Sequence, residues 1–192
     1  MIKRQIDTYI EDFYRTTNKA LLITGARQIG KTFSIRQFGK QWKNFIEINF
    51  IENEEAVLLF KDARGVDDLL LRLSAVTDVR LEKGSTLIFF DEVQACPEVV
   101  TAIKFLVDEG SYRYIMSGSL LGVELKDLRS EPVGYMGVKE MFPMDIEEFV
   151  RAVGINDKVI DHLRTAWEEC IPVDGFIHTK MMEIFRLYLI VG

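Results

Sequence analysis

One stretch of this sequence spaces glycine, lysine and threonine as phosphate chemistry requires. Gly25-Ala26-Arg27-Gln28-Ile29-Gly30-Lys31-Thr32 fits the pattern Gly-x-x-x-x-Gly-Lys-Ser/Thr at every fixed position. In such a loop the glycines let the backbone turn its N–H groups inward as an anion nest, and a helix beginning at the loop's end adds its positive N-terminus. Lys31 is then placed to reach the terminal phosphates, and the Thr32 hydroxyl to take a position on the Mg²⁺ that accompanies them. The candidate binding residues are Gly25, Ala26, Arg27, Gln28, Ile29, Gly30, Lys31, Thr32 and the adjoining Phe33, with Arg27 read as facing solvent or the nucleotide edge.

A second group lies further along the chain. Leu87-Ile88-Phe89-Phe90 is an apolar run ending in Asp91-Glu92, so a strand would deliver two carboxylates at its C-terminal edge, where ligands bind in open α/β sheets. Asp91 would hold the metal with Thr32, directly or through water. Glu92 would orient and deprotonate a water that attacks the terminal phosphate. Asp-Glu at a strand end is by itself an ordinary solvated turn, and the loop at Gly25–Thr32 is what gives it a chemical reading. ATP and Mg²⁺ are the ligands this pair of motifs implies. Ser117-Gly118-Ser119 closes another apolar run, and Ser117 or Ser119 could hold the water, while a plain Ser-Gly turn remains open for each.

The elements that must carry these residues are legible in the patterning. Ile2, Ile6, Tyr9, Ile10 and Phe13 form the stripe of an amphipathic helix. Lys19–Thr24 reads as a buried strand before the loop, Lys31–Lys40 as a helix after it, and Asn44–Ile51 as a second strand by its alternation. Glu54–Lys61 and Val66–Val76 are expected helices, Thr86–Phe90 a central strand, and Pro97–Asp108 a helix opened by proline and ended by Gly110. Tyr112–Ser117 is a fourth strand and Gly137–Phe142 a weaker fifth, while Ile146–Val153, Val159–Cys170 and His178–Leu189 read as helices. Strands alternating with helices predict an α/β fold with a five-stranded, mainly parallel sheet flanked by helices, which the loop at Gly25–Thr32 makes a P-loop NTPase, followed by a small helical subdomain. The expected divisions are an N-terminal helix over 1–18, a P-loop core over 19–142 and the helical subdomain over 143–192.

Bulk properties narrow the rest. The chain has 192 residues, 48% of them hydrophobic and 28% charged, which suits one folded α/β domain. A net charge of -6 gives no support to a broad nucleic-acid surface. The apolar runs are strand-sized, far short of the ~20 residues of a membrane span, and the N-terminus lacks a secretory signal, so no membrane contact and a cytoplasmic location are expected. Cys96 and Cys170 have no ligand or disulfide spacing and read as free thiols, Cys96 as a small buried hydrophobe. His162 and His178 read as surface or helix-end residues, and Phe45, Phe50, Tyr112 and Tyr114 as core. The apolar end Phe185–Val191 is expected to be a cut within a longer protein.

A strand between the loop and the acidic pair, with glutamate beside aspartate, resembles the P-loop division to which AAA+ ATPases belong. More closely, Lys19–Thr32, Phe89–Gln94, Ser117–Gly122, Pro132-Val133-Gly134 and Phe142–Phe149 resemble the prokaryotic AAA+-like ATPases that carry a C-terminal domain of unknown function. That resemblance spans essentially the whole chain and implies an ATPase portion with a helical lid, followed by a further domain. Many relatives carry a Gly-Arg pair where this chain has Val133-Gly134-Tyr135, so their arginine has no counterpart there. Arg129 becomes the candidate finger for a neighbouring subunit in a homo-oligomer, and Arg186 a candidate second sensor, each weighed against a plain surface arginine. The expected activity is hydrolysis of Mg-ATP to ADP and phosphate, driving or switching a protein partner or the chain's own C-terminal domain. Two other readings stay open: a nucleotide-gated binding switch with little turnover, in a DNA-associated defence or mobile-element setting, and a small-molecule kinase, which Glu92 disfavours.

Overall fold

Alternating side chains along five short strands decide the architecture. In the computed structural model, which describes residues 3–61, 63–119 and 134–191, the strands are β1 (Ala20–Gly25), β2 (Asn44–Asn49), β3 (Thr86–Asp91), β4 (Arg113–Ser119) and β5 (Met136–Glu140). They form one parallel sheet in the order β2-β3-β4-β1-β5. The helices are α1 (Gln5–Thr16), α2 (Lys31–Gly39), α3 (Val66–Ala75), α4 (Glu98–Glu109), α5 (Ile146–Ala152), α6 (Asp157–Glu168) and α7 (Gly175–Val191).

Both faces of the sheet are covered, which is why β1 and β3 read as continuous apolar runs rather than alternating ones. Leu22, Ile46, Ile48, Ile88, Phe90, Tyr114 and Met116 point to one face and pack with Leu69 and Leu73 of α3 and Val99, Ile103 and Leu106 of α4. Leu21, Ile23, Leu87, Phe89 and Ile115 point to the other and meet Ile6 and Ile10 of α1 and Ile35 and Phe38 of α2. The apolar stripe of α1 is thus spent on the sheet through Ile6 and Ile10, with Tyr9 and Phe13 packed beside them; Ile2 lies outside the described residues.

The chain divides into two compact units, one of Ile6–Met141 and one of Met1–Gln5 with Phe142–Gly192. Val150, Ile160 and Ile184 form the core of the second unit, one from each of α5, α6 and α7. Asp145 caps α5 in a capping box with Glu148, and Glu148 also accepts hydrogen bonds from Arg4 Nε at 2.9 Å and the Gln5 amide at 2.7 Å.

Several expectations shift in detail. Glu54–Leu59 is a 3₁₀ helix, not an α-helix, and Pro97 stands just before α4 rather than as its first residue. Helix α7 opens three residues earlier than the periodicity predicts, at Gly175, because the Asp174 carboxylate accepts from the Phe176 and Ile177 amides. Strand β5 is an edge strand with an exposed second half, so its sequence carries little apolar signal. No helix among the described residues is long and apolar enough to cross a membrane.

Candidate nucleotide site

Sheet order brings the chemistry-bearing residues to one edge. Strand β4 lies between β1 and β3, and the register pairs Ile23 with Ser117 and Phe90 with Met116. The C-terminal ends of these strands therefore put Gly25, Asp91 and Ser117 on the same side of the sheet, the edge where open α/β folds bind ligands.

The loop from Gly25 to Thr32 is built from left-handed backbone. Gly25 has φ 146°, Gln28 φ 63° and Gly30 φ 100°, and Gly30 is the residue from which α2 starts. At Gly25 a side chain has no room, since a Cβ would stand 2.3 Å from the Met141 carbonyl oxygen. Met141 is held there by its own amide, which donates to the Thr24 carbonyl at 2.8 Å. Ala26, Arg27 and Gln28 are exposed, as expected for a loop that presents its backbone, and Phe33 is 52% exposed on the first turn of α2.

Lys31 is buried and its ammonium donates to the carbonyls of Gly25 at 3.1 Å and Ala26 at 2.7 Å. Burial pushes its pKa below the usual lysine range, opposed by the nearby charges of Glu92 and Asp91. The loop thus folds back on its own lysine, which can exchange two carbonyls for phosphate oxygens without leaving the cradle.

Asp91 is the centre of the acidic side. It is 2% exposed, and its carboxylate accepts from the Thr32 hydroxyl at 3.2 Å, Asn49 Nδ2 at 3.3 Å, the Glu92 amide at 3.1 Å and the Ser117 hydroxyl. Desolvation pushes its pKa above the ordinary carboxylate range, the Ser117 hydrogen bond opposes that, and the Glu92 charge adds to it. The donor set suits a small hard cation. With Mg–O distances near ~2.1 Å, adjacent octahedral ligands sit about 3 Å apart, close to the 3.2 Å between Thr32 Oγ1 and Asp91 Oδ2. A divalent ion would also supply the positive charge that this buried carboxylate lacks. Among the described residues no group of three or more His, Cys, Asp or Glu forms a metal cluster.

Glu92 follows in the left-handed conformation, φ 57° and ψ 47°, and opens a 3₁₀ turn over Val93–Ala95. Its carboxylate accepts from Gln94 Nε2, while Gln94 Oε1 accepts from the Ser119 amide at 3.3 Å. The two serines at the end of β4 therefore separate: the Ser117 hydroxyl is committed to Asp91, and Ser119 meets Gln94 through its backbone. Arg129 lies outside the described residues, and Arg186 sits on α7 in the other unit.

Two residues around the carboxylates escape sequence reasoning. Asn49 ends β2, where its Oδ1 accepts from the Ile51 and Glu52 amides at 2.9 and 3.0 Å and so fixes Nδ2 toward Asp91. Gln94 lies in the Asp-Glu-Val-Gln run that the resemblance quotes, but its reach back to Glu92 depends on the left-handed turn. A polar residue closing an otherwise alternating strand was the available signal for Asn49.

A parallel sheet in this order, with a glycine loop before α2 and an acidic pair ending β3, defines a P-loop NTPase fold. The family of the AAA domain matches residues 17–150, and the chain belongs to it as a P-loop, AAA-like ATPase domain. Among solved structures it is similar to the Walker-type ATPase PABY2304 of Pyrococcus abyssi, with a TM-score of 0.52 and 17% sequence identity over 96% of this chain. At that identity the likeness speaks to the fold, and this chain spans 61% of the length of that protein. No curated protein matches the sequence.

Proposed function

We propose that this chain binds Mg-ATP on the loop from Gly25 to Phe33 and hydrolyses it to ADP and phosphate. The observation that carries the reading is the meeting of Thr32, from the loop, with Asp91, from the end of β3, at 3.2 Å beside the half-turned Glu92.

Each residue has a defined task. Backbone N–H groups of the loop and the start of α2 receive the phosphates. Lys31 transfers its ammonium from the Gly25 and Ala26 carbonyls to the terminal phosphate oxygens. Thr32 and Asp91 hold Mg²⁺, directly or through water, and the bound ion neutralises charge on the phosphates. Asn49 and Ser117 fix the Asp91 carboxylate. Glu92 orients a water and takes its proton as the water oxygen bonds to the terminal phosphorus and the bond to the bridging oxygen breaks. Ser119, and Arg129 from a neighbouring copy, are the remaining candidates for contacts to the water and the terminal phosphate. Location in the cytoplasm, self-association through that arginine, and coupling to a protein partner or a further domain belong to the same proposal.

Glu92→Gln tests it. The account expects ATP affinity within a few-fold of wild type and phosphate release reduced by about a hundredfold or more, since a general base contributes roughly 10²–10⁴ in rate. Phosphate release equal to wild type in a purified Glu92→Gln protein would remove Glu92 as the base.

A further inference from the structure

Resting on the hydrolytic reading above, one side chain near the acidic pair has a geometry that no motif explains. Gln94 is partly buried in the 3₁₀ turn after Glu92, and its amide is used at both ends: Nε2 donates to the Glu92 carboxylate and Oε1 accepts from the Ser119 amide at 3.3 Å. Only a side chain with both a donor and an acceptor on one head group completes that chain of hydrogen bonds. The two partners also fix which way round the amide stands, because a carboxylate offers no hydrogen and a backbone N–H no lone pair.

We propose that Gln94 is a positioning residue that orients the Glu92 carboxylate toward its water and ties it to the backbone at the end of β4. Glu92 occupies a left-handed conformation, and the Asp91 carboxylate holds its amide at 3.1 Å, so the backbone of Glu92 is fixed while its side-chain torsions are set by Gln94. Ser119 in turn pairs with Gly25 in the sheet register. A change of the loop on binding nucleotide therefore has a short route, Gly25 to Ser119 to Gln94, to the aim of the base. Placement of a reacting group to within about 1 Å is worth roughly a hundredfold in rate, so losing this hold should act on turnover and leave affinity alone.

A double-mutant cycle decides it. Gln94→Leu, close to isosteric and unable to bond at either end, is expected to lower kcat by roughly ten- to a hundredfold with KM and nucleotide affinity within about threefold of wild type. In a Glu92→Gln background the same change should do nothing further, because Gln94 acts only through that carboxylate. An equal loss in both backgrounds, or a loss of ATP affinity, would mean that Gln94 merely supports the loop and would overturn the proposal. A second reading needs no turnover: in ¹H–¹⁵N spectra Glu92→Gln should move the Ser119 amide resonance in the wild-type protein but not in Gln94→Leu. If that coupling is present while phosphate release proves independent of Glu92, the hydrolytic reading falls and the link between Glu92 and β4 stands. If the Ser119 amide ignores Glu92, the link itself is refuted.

Discussion

At the residue scale the site shows how burial assigns roles to otherwise ordinary side chains. Lys31 and Asp91 carry opposite charges at one sheet edge, and burial pushes both toward their neutral forms. Each is held by hydrogen bonds that a nucleotide and its cation would take over or complete. The two cysteines illustrate the same effect in a simpler case. Cys96 is 0% exposed beneath the turn that follows Glu92, and burial pushes its thiol up to about 11, whereas Cys170 is exposed. A thiol reagent at pH 8 should accordingly modify one cysteine in the folded protein and two after denaturation, with mass spectrometry locating the native adduct on Cys170. Native labelling of Cys96 would contradict the packing described for α4 and β3.

At the element scale, the loop depends on a close approach that its motif does not reveal. Beside the phosphate contact proposed for it, Gly25 is required because the Met141 carbonyl lies where a Cβ would be. Gly25→Ala should therefore cost about 2 kcal/mol or more, from the collision and the positive φ together, and lower Tm by roughly 5 °C or more in a thermal melt. In the helical unit the Arg4–Glu148 pair is nearly buried, with side-chain exposures of 11% and 6%, and Glu148 also closes the capping box of α5. Glu148→Ala should cost about 3 kcal/mol in urea unfolding. Glu147→Ala, which breaks a half-exposed pair with Arg164, should cost under about 1 kcal/mol. Equal losses in the two variants would show that Glu148 is not the anchor its geometry makes it.

The elements were legible in the sequence where one signal dominated. The apolar runs of β1 and β3, the proline before α4 and the period of α1 each pointed to the element that forms. Legibility was partial at element ends: helix α7 begins earlier because of its local Asp174 cap, and β5, expected as a weaker strand over Gly137–Phe142, runs over Met136–Glu140 on an exposed edge. It failed where tertiary contacts decide, since Asn49 meets Asp91 and Gln94 meets Ser119 only when strands distant in the chain come together. The serines at the end of β4 show the limit most clearly: the sequence left Ser117, Ser119 or a plain turn open, while the fold turns the Ser117 hydroxyl onto Asp91.

At the scale of the whole molecule, the α/β unit of Ile6–Met141 contains the loop, the acidic pair and the residues that orient them. The chain's membership of the AAA domain family, matched over residues 17–150, agrees with that content, and the net charge of -6 over the whole chain gives no support to binding a polyanion over a broad face. The central claim is that loop and acidic pair form one Mg-nucleotide site. Calorimetric titration of ATP into wild type and Asp91→Asn, each with Mg²⁺ and with EDTA, tests it most directly. The account predicts that Mg²⁺ strengthens ATP binding to wild type about tenfold or more and that Asp91→Asn loses this gain while still binding free ATP through the loop. ATP binding that is absent in wild type, or indifferent to both Mg²⁺ and Asp91, would contradict it.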